Sequence, residues 1–250
     1  MTAGGILSSL GQFGADRKRP RATAGLTPAQ LARRVRIGEE RRAKTRTVLI
    51  EAAFRVFAER GLEAPSIDDV IAEAGLSRGT FYNHFSTREA LAEAVAGDIA
   101  TDINRHIRPA IQGIEDPAER IATAFRLFAR FAVSDASRGW VLVRMMPLMG
   151  GPLNAEMRQF VFRDFSEGVA RGRLHALSVP IAVDLGMGLV AMTVRSVLAG
   201  QVENNHIDLA AEMLLRALGV SGEEAAALAR LPLPAGTPES SPQASQKETT

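Results

Sequence analysis

The 250-residue sequence has no cysteine, one tryptophan, one tyrosine and four histidines. The missing cysteines exclude disulfides, thiolate zinc sites and cysteine nucleophiles at once, and they suit a reducing compartment such as the cytoplasm. His84, His106, His175 and His206 are scattered, without the spacing a metal site needs. Neither a G-x-S-x-G nucleophile elbow nor a phosphate-binding loop occurs. The string GMGLVA, Gly186 to Ala191, formally fits a dinucleotide fingerprint. It follows no strand pattern and sits inside a helical apolar run, so close helix packing is the expected reason for its glycines. Long apolar segments are also missing. Asp184 and Arg195 bound a stretch too short to cross a bilayer, and the apolar piece at residues 6–10 is too brief for a signal-peptide core. No run alternates with the period of a strand. The expected fold class is therefore all-α, with no enzyme activity, no cofactor, no metal and no membrane.

Charge is nearly balanced, at +2, but unevenly placed. Residues 1–46 carry a net +8, leaving −6 for the remainder. A basic N-terminal arm ahead of a mildly acidic body is an electrostatic footprint for nucleic acid. Residues 1–25, rich in Gly, Ser and Ala, contain the cluster Arg17-Lys18-Arg19-Pro20-Arg21 and are expected to be disordered. From Thr27-Pro28, an N-cap and first-turn pair, a charged helix is expected to run through Leu31 and Val35 toward Arg46. The arm either tracks phosphates or is a solvated basic tail.

The most specific stretch is LEAPSIDDVIAEAGLSRGTFYNHFSTREA, Leu62 to Ala90. Ser66 precedes the apolar-periodic Ile67, Val70, Ile71 and Ala74, and reads as an N-cap with Asp68 and Asp69 in the first turn. Gly75 permits the left-handed conformation that ends this helix, and Ser77 caps the next. The elbow between them has the length a helix-turn-helix requires. Phe81 and Phe85, four apart, should plug a small core against Phe54 and Phe57. Tyr82 points away from that plug, as a phosphate or base contact or as a surface tyrosine. Arg78 suits bidentate recognition of guanine, and Gly79 lets a backbone come close. Thr80, Asn83 and His84 are within reach of DNA from the same helix, although His84 could equally cap it.

Upstream, residues 45–61 place Leu49, Ala53, Val56 and Phe57 on one helical face; downstream, Thr87 caps a further helix. With Arg46, Ala52-Ala53, Phe57, Gly61, Ala74-Gly75-Leu76-Ser77, Gly79-Thr80-Phe81-Tyr82, Phe85 and Arg88-Glu89, this region resembles the DNA-binding head of the TetR/AcrR family of transcriptional regulators. The resemblance covers about a fifth of the chain. It implies a dimeric regulator on a palindromic operator of double-stranded DNA. Arg46, Ser66, Ser77, Arg78, Gly79, Thr80, Tyr82, Asn83, His84 and Arg88 are the expected contacts, with Arg88 on phosphate. Two departures stand out. Asp68 and Asp69 occupy positions where phosphate-gripping relatives carry neutral or basic side chains, so any contact there is expected from Ser66. Ile71 replaces the small residue usual before the turn.

Beyond the head the pattern stays helical between prolines. Organisation into an arm (1–40), a head (41–91), an effector-binding and dimerisation body (92–230) and a disordered tail (231–250) is expected. Residues 181–198, apolar almost all round, and 206–218 are candidates for an intersubunit four-helix bundle, through Leu185, Leu189, Met192, Leu214 and Leu218. The alternative is that they complete each subunit's own core. Trp140, Met145, Met149, Met157 and Phe160 are soft or aromatic and are candidate walls of a pocket for an apolar effector, the alternative again being plain core. The expected function is a dimeric repressor, located in the cytoplasm and released from its operator by a small apolar or amphipathic effector. The alternative is a non-sensing DNA-binding or architectural protein whose body only dimerises or binds a protein partner.

Overall fold

Capping and periodicity make a chain of helices, and a computed structural model places them. It describes residues 27–60, 65–145, 155–202 and 205–238. In chain order the helices are α1 (Pro28–Arg60), α2 (Ile67–Ala74), α3 (Arg78–Tyr82), α4 (Arg88–Ile111) and α5 (Pro117–Ser134). They continue as α6 (Ala136–Met145), α7 (Ala155–Ala170), α8 (Val179–Leu198), α9 (His206–Ala217) and α10 (Gly222–Ala229). No strand occurs among the described residues.

The chain divides into two units after Lys44, within α1. In the first, Thr27 and Gln30 cap the helix reciprocally: the Thr27 N–H donates to Gln30 Oε1 at 2.9 Å, and the Gln30 N–H to Thr27 Oγ1 at 3.3 Å. Residues 28–44 are almost entirely exposed, with an Arg36–Glu40 pair at 3.5 Å one turn apart. The sequence suggested two helices over 27–61, whereas one continuous helix is observed. Its ending residue by expectation, Gly61, and the arm over 1–25 lie outside the described residues. The boundaries read at 40/41 and 91/92 fall within α1 and α4.

In the second unit, Leu49, Ala53 and Phe57 of α1 bury against Val70, Phe81, Phe85, Leu91 and Val95. Phe81 is fully buried and sits 6.0 Å from Phe85, ring to ring, so the expected aromatic plug forms. Phe54 packs at its edge, half-buried. The body is organised around α5, which packs on α4, α6, α7, α8 and α9. Asp116 caps α5 by accepting the Ala118 N–H at 3.1 Å, and Pro117 fills the first turn. Close approach of α5 and α6 depends on Gly139, where an added Cβ would overlap the Ala132 carbonyl oxygen.

Helix α8 is long and apolar enough by composition to cross a membrane. Yet Ala182, Val183, Gly186, Val190, Val194 and Val197 are buried within the body. Within the tail expected from 231, residues to Pro238 are described: the Leu231 carbonyl accepts from Arg126, and Leu233 packs against the core. The remainder, 239–250, lies outside the described residues.

Candidate nucleic-acid interface and internal cavity

The helix-turn-helix is held by two side-chain caps and one left-handed glycine. Ser66 is the N-cap of α2: its hydroxyl accepts the Asp69 N–H at 3.2 Å and contacts Asp69 Oδ2 at 2.7 Å. The Ser66 N–H donates to the same carboxylate oxygen at 2.7 Å, completing a capping box. These bonds, the Ser66 side chain first, hold the Asp69 carboxyl below its ordinary range, and Arg60 adds an ion pair at 2.8 Å. Gly75, at φ 64°, ends α2, and the Leu76 N–H returns to the Ile71 carbonyl at 3.0 Å. Ser77 then caps α3 by accepting the Thr80 N–H at 3.2 Å, with its hydroxyl 2.9 Å from Thr80 Oγ1.

On this frame α3 turns Phe81 inward and its polar residues outward. Tyr82 is 53% exposed, with its ring edge-on to Phe81 at 5.3 Å. Ser77, Arg78, Gly79 and Asn83 are exposed, and Thr80 is half-buried. Asn83 forms the C-cap of α3, and the half-buried His84 donates its N–H to the Phe81 carbonyl. At Gly79 an added Cβ would meet only Ser77 Oγ, at 3.9 Å. Nothing among the described residues therefore requires a glycine there.

Three expected contacts have partners within the protein. Arg78 Nη2 donates to Asp68 Oδ2 at 2.5 Å. Arg88 Nη1 donates to the Pro65 carbonyl at 3.3 Å, so this half-buried arginine ties the start of α4 to the entrance of α2. The Arg46 guanidinium lies over the Phe85 ring at 5.1 Å. Ser66, expected to be a DNA contact, already uses its hydroxyl in the capping box. The negative charge expected from Asp68 and Asp69 is matched by Arg78 and Arg60, a compensation visible only once the helices are packed.

A cavity of about 90 Å³ lies inside the body, among α4, α5, α7, α8 and α9. Phe125, Phe128, Phe160 and Phe165 supply aromatic wall, and Asn104 and Asp164 are the polar residues lining it. Burial pushes the Asp164 carboxyl above its ordinary range, against the pull of Arg120 at 3.2 Å. Of the pocket residues read from sequence, Phe160 lines this cavity. Trp140 does not: it borders a separate hollow with Phe57, Arg60 and Arg144, and the Arg144 guanidinium sits 5.5 Å over its ring. Met149 and the side chains of Met145 and Met157 lie outside those described. Phe125 and Phe128 of α5 also line the cavity beside Phe160, and a helical period alone does not reveal the void behind such a face.

The bundle candidates divide in the same way. Leu185 (43% exposed) and Met192 (46%) open outward on α8, together with Ile181, and Leu189 is half-buried. Leu214 and Leu218 are instead 1% and 2% exposed within the subunit's own core, Leu214 beside residues of α5 and α8. The outward apolar residues of α9 are Leu209 and Met213.

A doubly capped helix-turn-helix with an outward polar helix, continuing into an all-helical body, defines a helix-turn-helix regulator. Residues 49–95 match the family model for bacterial regulatory proteins of the tetR family. Residues 116–231 match the model for the tetracyclin repressor-like C-terminal domain. The chain is 30% identical over 173 residues to the HTH-type transcriptional regulator Mb3439c of Mycobacterium bovis, covering 68% of this chain and 84% of that protein. It is 33% identical over 79 residues to the HTH-type transcriptional repressor DhaR of a Mycobacterium species, covering 32% of this chain and 40% of the relative. The chain thus spans less than half the length of DhaR. Among solved structures, RolR in complex with resorcinol superposes with a TM-score of 0.63 at 26% identity, covering 78% of this chain and 98% of that one. The chain belongs to the TetR family of bacterial transcriptional regulators.

Proposed function

We propose that the protein is a homodimeric repressor that binds a palindromic operator in the cytoplasm and leaves it when a small apolar or amphipathic effector enters the body. The observation that carries this reading is the outward face of α3, polar and cap-fixed over the Phe81–Phe85 plug, with a glycine at residue 79 that packing among the described residues does not call for. Arg78, Thr80, Tyr82 and Asn83 are the proposed base or phosphate contacts, with Ser77 and Gly79 at the close backbone approach. Arg46 and His84 flank them. Ser66 and Arg88 act first by holding the motif together.

Two heads on one two-fold axis read half-sites about one helical turn apart. The proposed bundle uses the outward residues of α8 and α9: Ile181, Leu185, Met192, Leu209 and Met213. Helix α4 offers the route from effector to DNA. Asn104 and Ile107 near its end line the cavity, and Arg88 at its start holds the Pro65 carbonyl. A ligand that displaces the far end of α4 shifts the near end against α2. Its leverage is limited to its differential affinity for the two states. The relative RolR is seen with resorcinol, and an aromatic-walled cavity with an amide and a carboxyl suits a ligand of that size and polarity.

The test is selection of fragmented genomic DNA by the purified protein at moderate salt. Recovery of a shared inverted repeat is expected. Recovery of unrelated fragments would replace this reading with a non-specific architectural one. Resorcinol added to the selected complex then tests effector release.

A further inference from the structure

Two arginines share one carboxylate where α5, α9 and the segment after α10 meet. Arg126 Nε donates to Asp208 Oδ1 at 2.7 Å, and its Nη1 donates to the Leu231 carbonyl at 2.7 Å. Arg130 Nη2 reaches both oxygens of the same carboxylate, at 3.1 and 3.0 Å. Arg126 is 4% exposed and the Arg130 side chain 16%. Arg230 stands at the rim, 4.0 Å from Glu212, whose carboxylate is already paired with Arg216. Arg126, Arg130 and Arg230 line an open, cleft-like cavity of about 380 Å³, and residues 231–238 form its other wall.

Buried charges are ordinarily matched one for one, because an uncompensated ion loses its hydration without repayment. Here one buried and one part-buried guanidinium meet one carboxylate, so among the described residues a positive charge is left over beside an open space. Arg130 Nε is also buried with no hydrogen-bond partner among the described residues. If the cluster served only to tie α5 to α9, one arginine on Asp208 would suffice, and the second adds desolvation cost without a counter-charge. A planar guanidinium matches the paired oxygens of a carboxylate or phosphate, and such charge-assisted bonds are the strong ones.

We propose that this cavity binds a small oxyanion, a carboxylate- or phosphate-bearing molecule, at a site separate from the apolar cavity among the phenylalanines. Arg130 and Arg230 supply the principal contacts, and Arg126 supplies charge while holding residue 231 in place. Occupancy neutralises the excess charge and pins the 231–238 segment onto α5. Nothing in this depends on DNA binding, so the test stands apart from the regulator reading.

The experiment is isothermal titration of the full chain with inorganic phosphate and, separately, with citrate, at constant ionic strength set by chloride. Saturable binding of at least one probe is expected, weakened about tenfold or more in Arg130→Gln and in Arg230→Gln, the scale of one lost charge-assisted hydrogen bond. Which probe binds separates phosphate from carboxylate chemistry. Arg230 is an exposed residue, so Arg230→Gln keeps the test valid if Arg130→Gln proves unstable. Failure of both probes to bind saturably, or affinity unchanged in the folded variants, overturns the proposal.

Discussion

Arg78 and Asp68 are joined across the elbow of the helix-turn-helix, Nη2 donating to Oδ2 at 2.5 Å. The pair bridges the first turns of α2 and α3, and both side chains are more than half exposed. Exposed ion pairs contribute little to stability, so the consequence lies in orientation. A guanidinium anchored on one side by a carboxylate presents its remaining N–H groups in a fixed direction, and bidentate reading of guanine needs that. Arg78→Ala is expected to lower discrimination at one position of each half-site by roughly five- to hundredfold while leaving the other positions unchanged. Asp68→Ala is expected to act differently. It removes a negative charge near the DNA, raising affinity for all sequences, while the freed Arg78 reads its base less strictly. Binding to a set of single-base operator variants checks both; equal weakening on every sequence in Arg78→Ala would remove the base-reading role.

The capping box of α2 makes a pH-dependent prediction. The folded pKa of Asp69 is lowered, chiefly by its hydrogen bonds with Ser66. Its contribution to stability is therefore present above its ordinary value of 3.8 and is lost as pH falls through the lower folded value. Ser66→Ala is expected to cost about 1 kcal/mol, the usual loss for an N-cap. It should also move the Asp69 titration upward toward the ordinary value. Thermal unfolding at neutral pH and an NMR titration of the Asp69 carboxyl measure the two effects; an unmoved titration would mean that the residue-66 backbone N–H and Arg60, rather than the Ser66 hydroxyl, set it.

How much of this was legible before the structure follows from the range of each interaction. Ser66, Gly75, Ser77 and Thr87 act within four residues, so the caps and the elbow could be read from spacing alone. The Phe81–Phe85 plug follows from helical period. The Arg78–Asp68 and Arg60–Asp69 pairs depend on how two helices meet, and spacing alone indicated only repulsion from the acids. Trp140 shows the same limit in the body. Its size and softness suited a pocket, but which void a large side chain borders is a property of packing between helices, and here that void lies beside Arg60 and Arg144. Leu214 and Leu218 share a stripe with the expected bundle, yet the stripe faces inward. Periodicity identifies an apolar face without naming its partner.

That distinction predicts opposite outcomes for two kinds of substitution. In the proposed dimer, Met192→Asp on the outward face of α8 is expected to shift the protein to monomer while each subunit stays folded. Leu214→Ala is expected to cost about 2–5 kcal/mol of folding stability, as for other buried leucines, without a specific effect on association beyond that loss. Sedimentation velocity and thermal unfolding, run on both variants, separate the effects. A dimeric Met192→Asp would move the interface elsewhere.

The cavity yields the sharpest comparison, because two aromatic residues of similar prominence in the sequence stand in different places. Phe160 lines the space among α4, α5, α7, α8 and α9, while Trp140 borders a separate hollow. If an effector acts from that space, Phe160→Ala weakens its binding and raises the concentration needed for release from DNA, whereas Trp140→Ala leaves that concentration unchanged. Gly186 allows a gentler test. An added Cβ would stand 3.2 Å from Phe165 Cζ, so in Gly186→Ala this cavity-lining ring must give by a few tenths of an ångström. Operator affinity without effector is expected to stay near that of the parent protein, since the head packs around other residues, while effector affinity falls. Titrating resorcinol against the operator complex of each variant measures the shift. A release midpoint that moves in Trp140→Ala and stays fixed in both Phe160→Ala and Gly186→Ala would place the effector in the hollow beside Arg60 and Arg144.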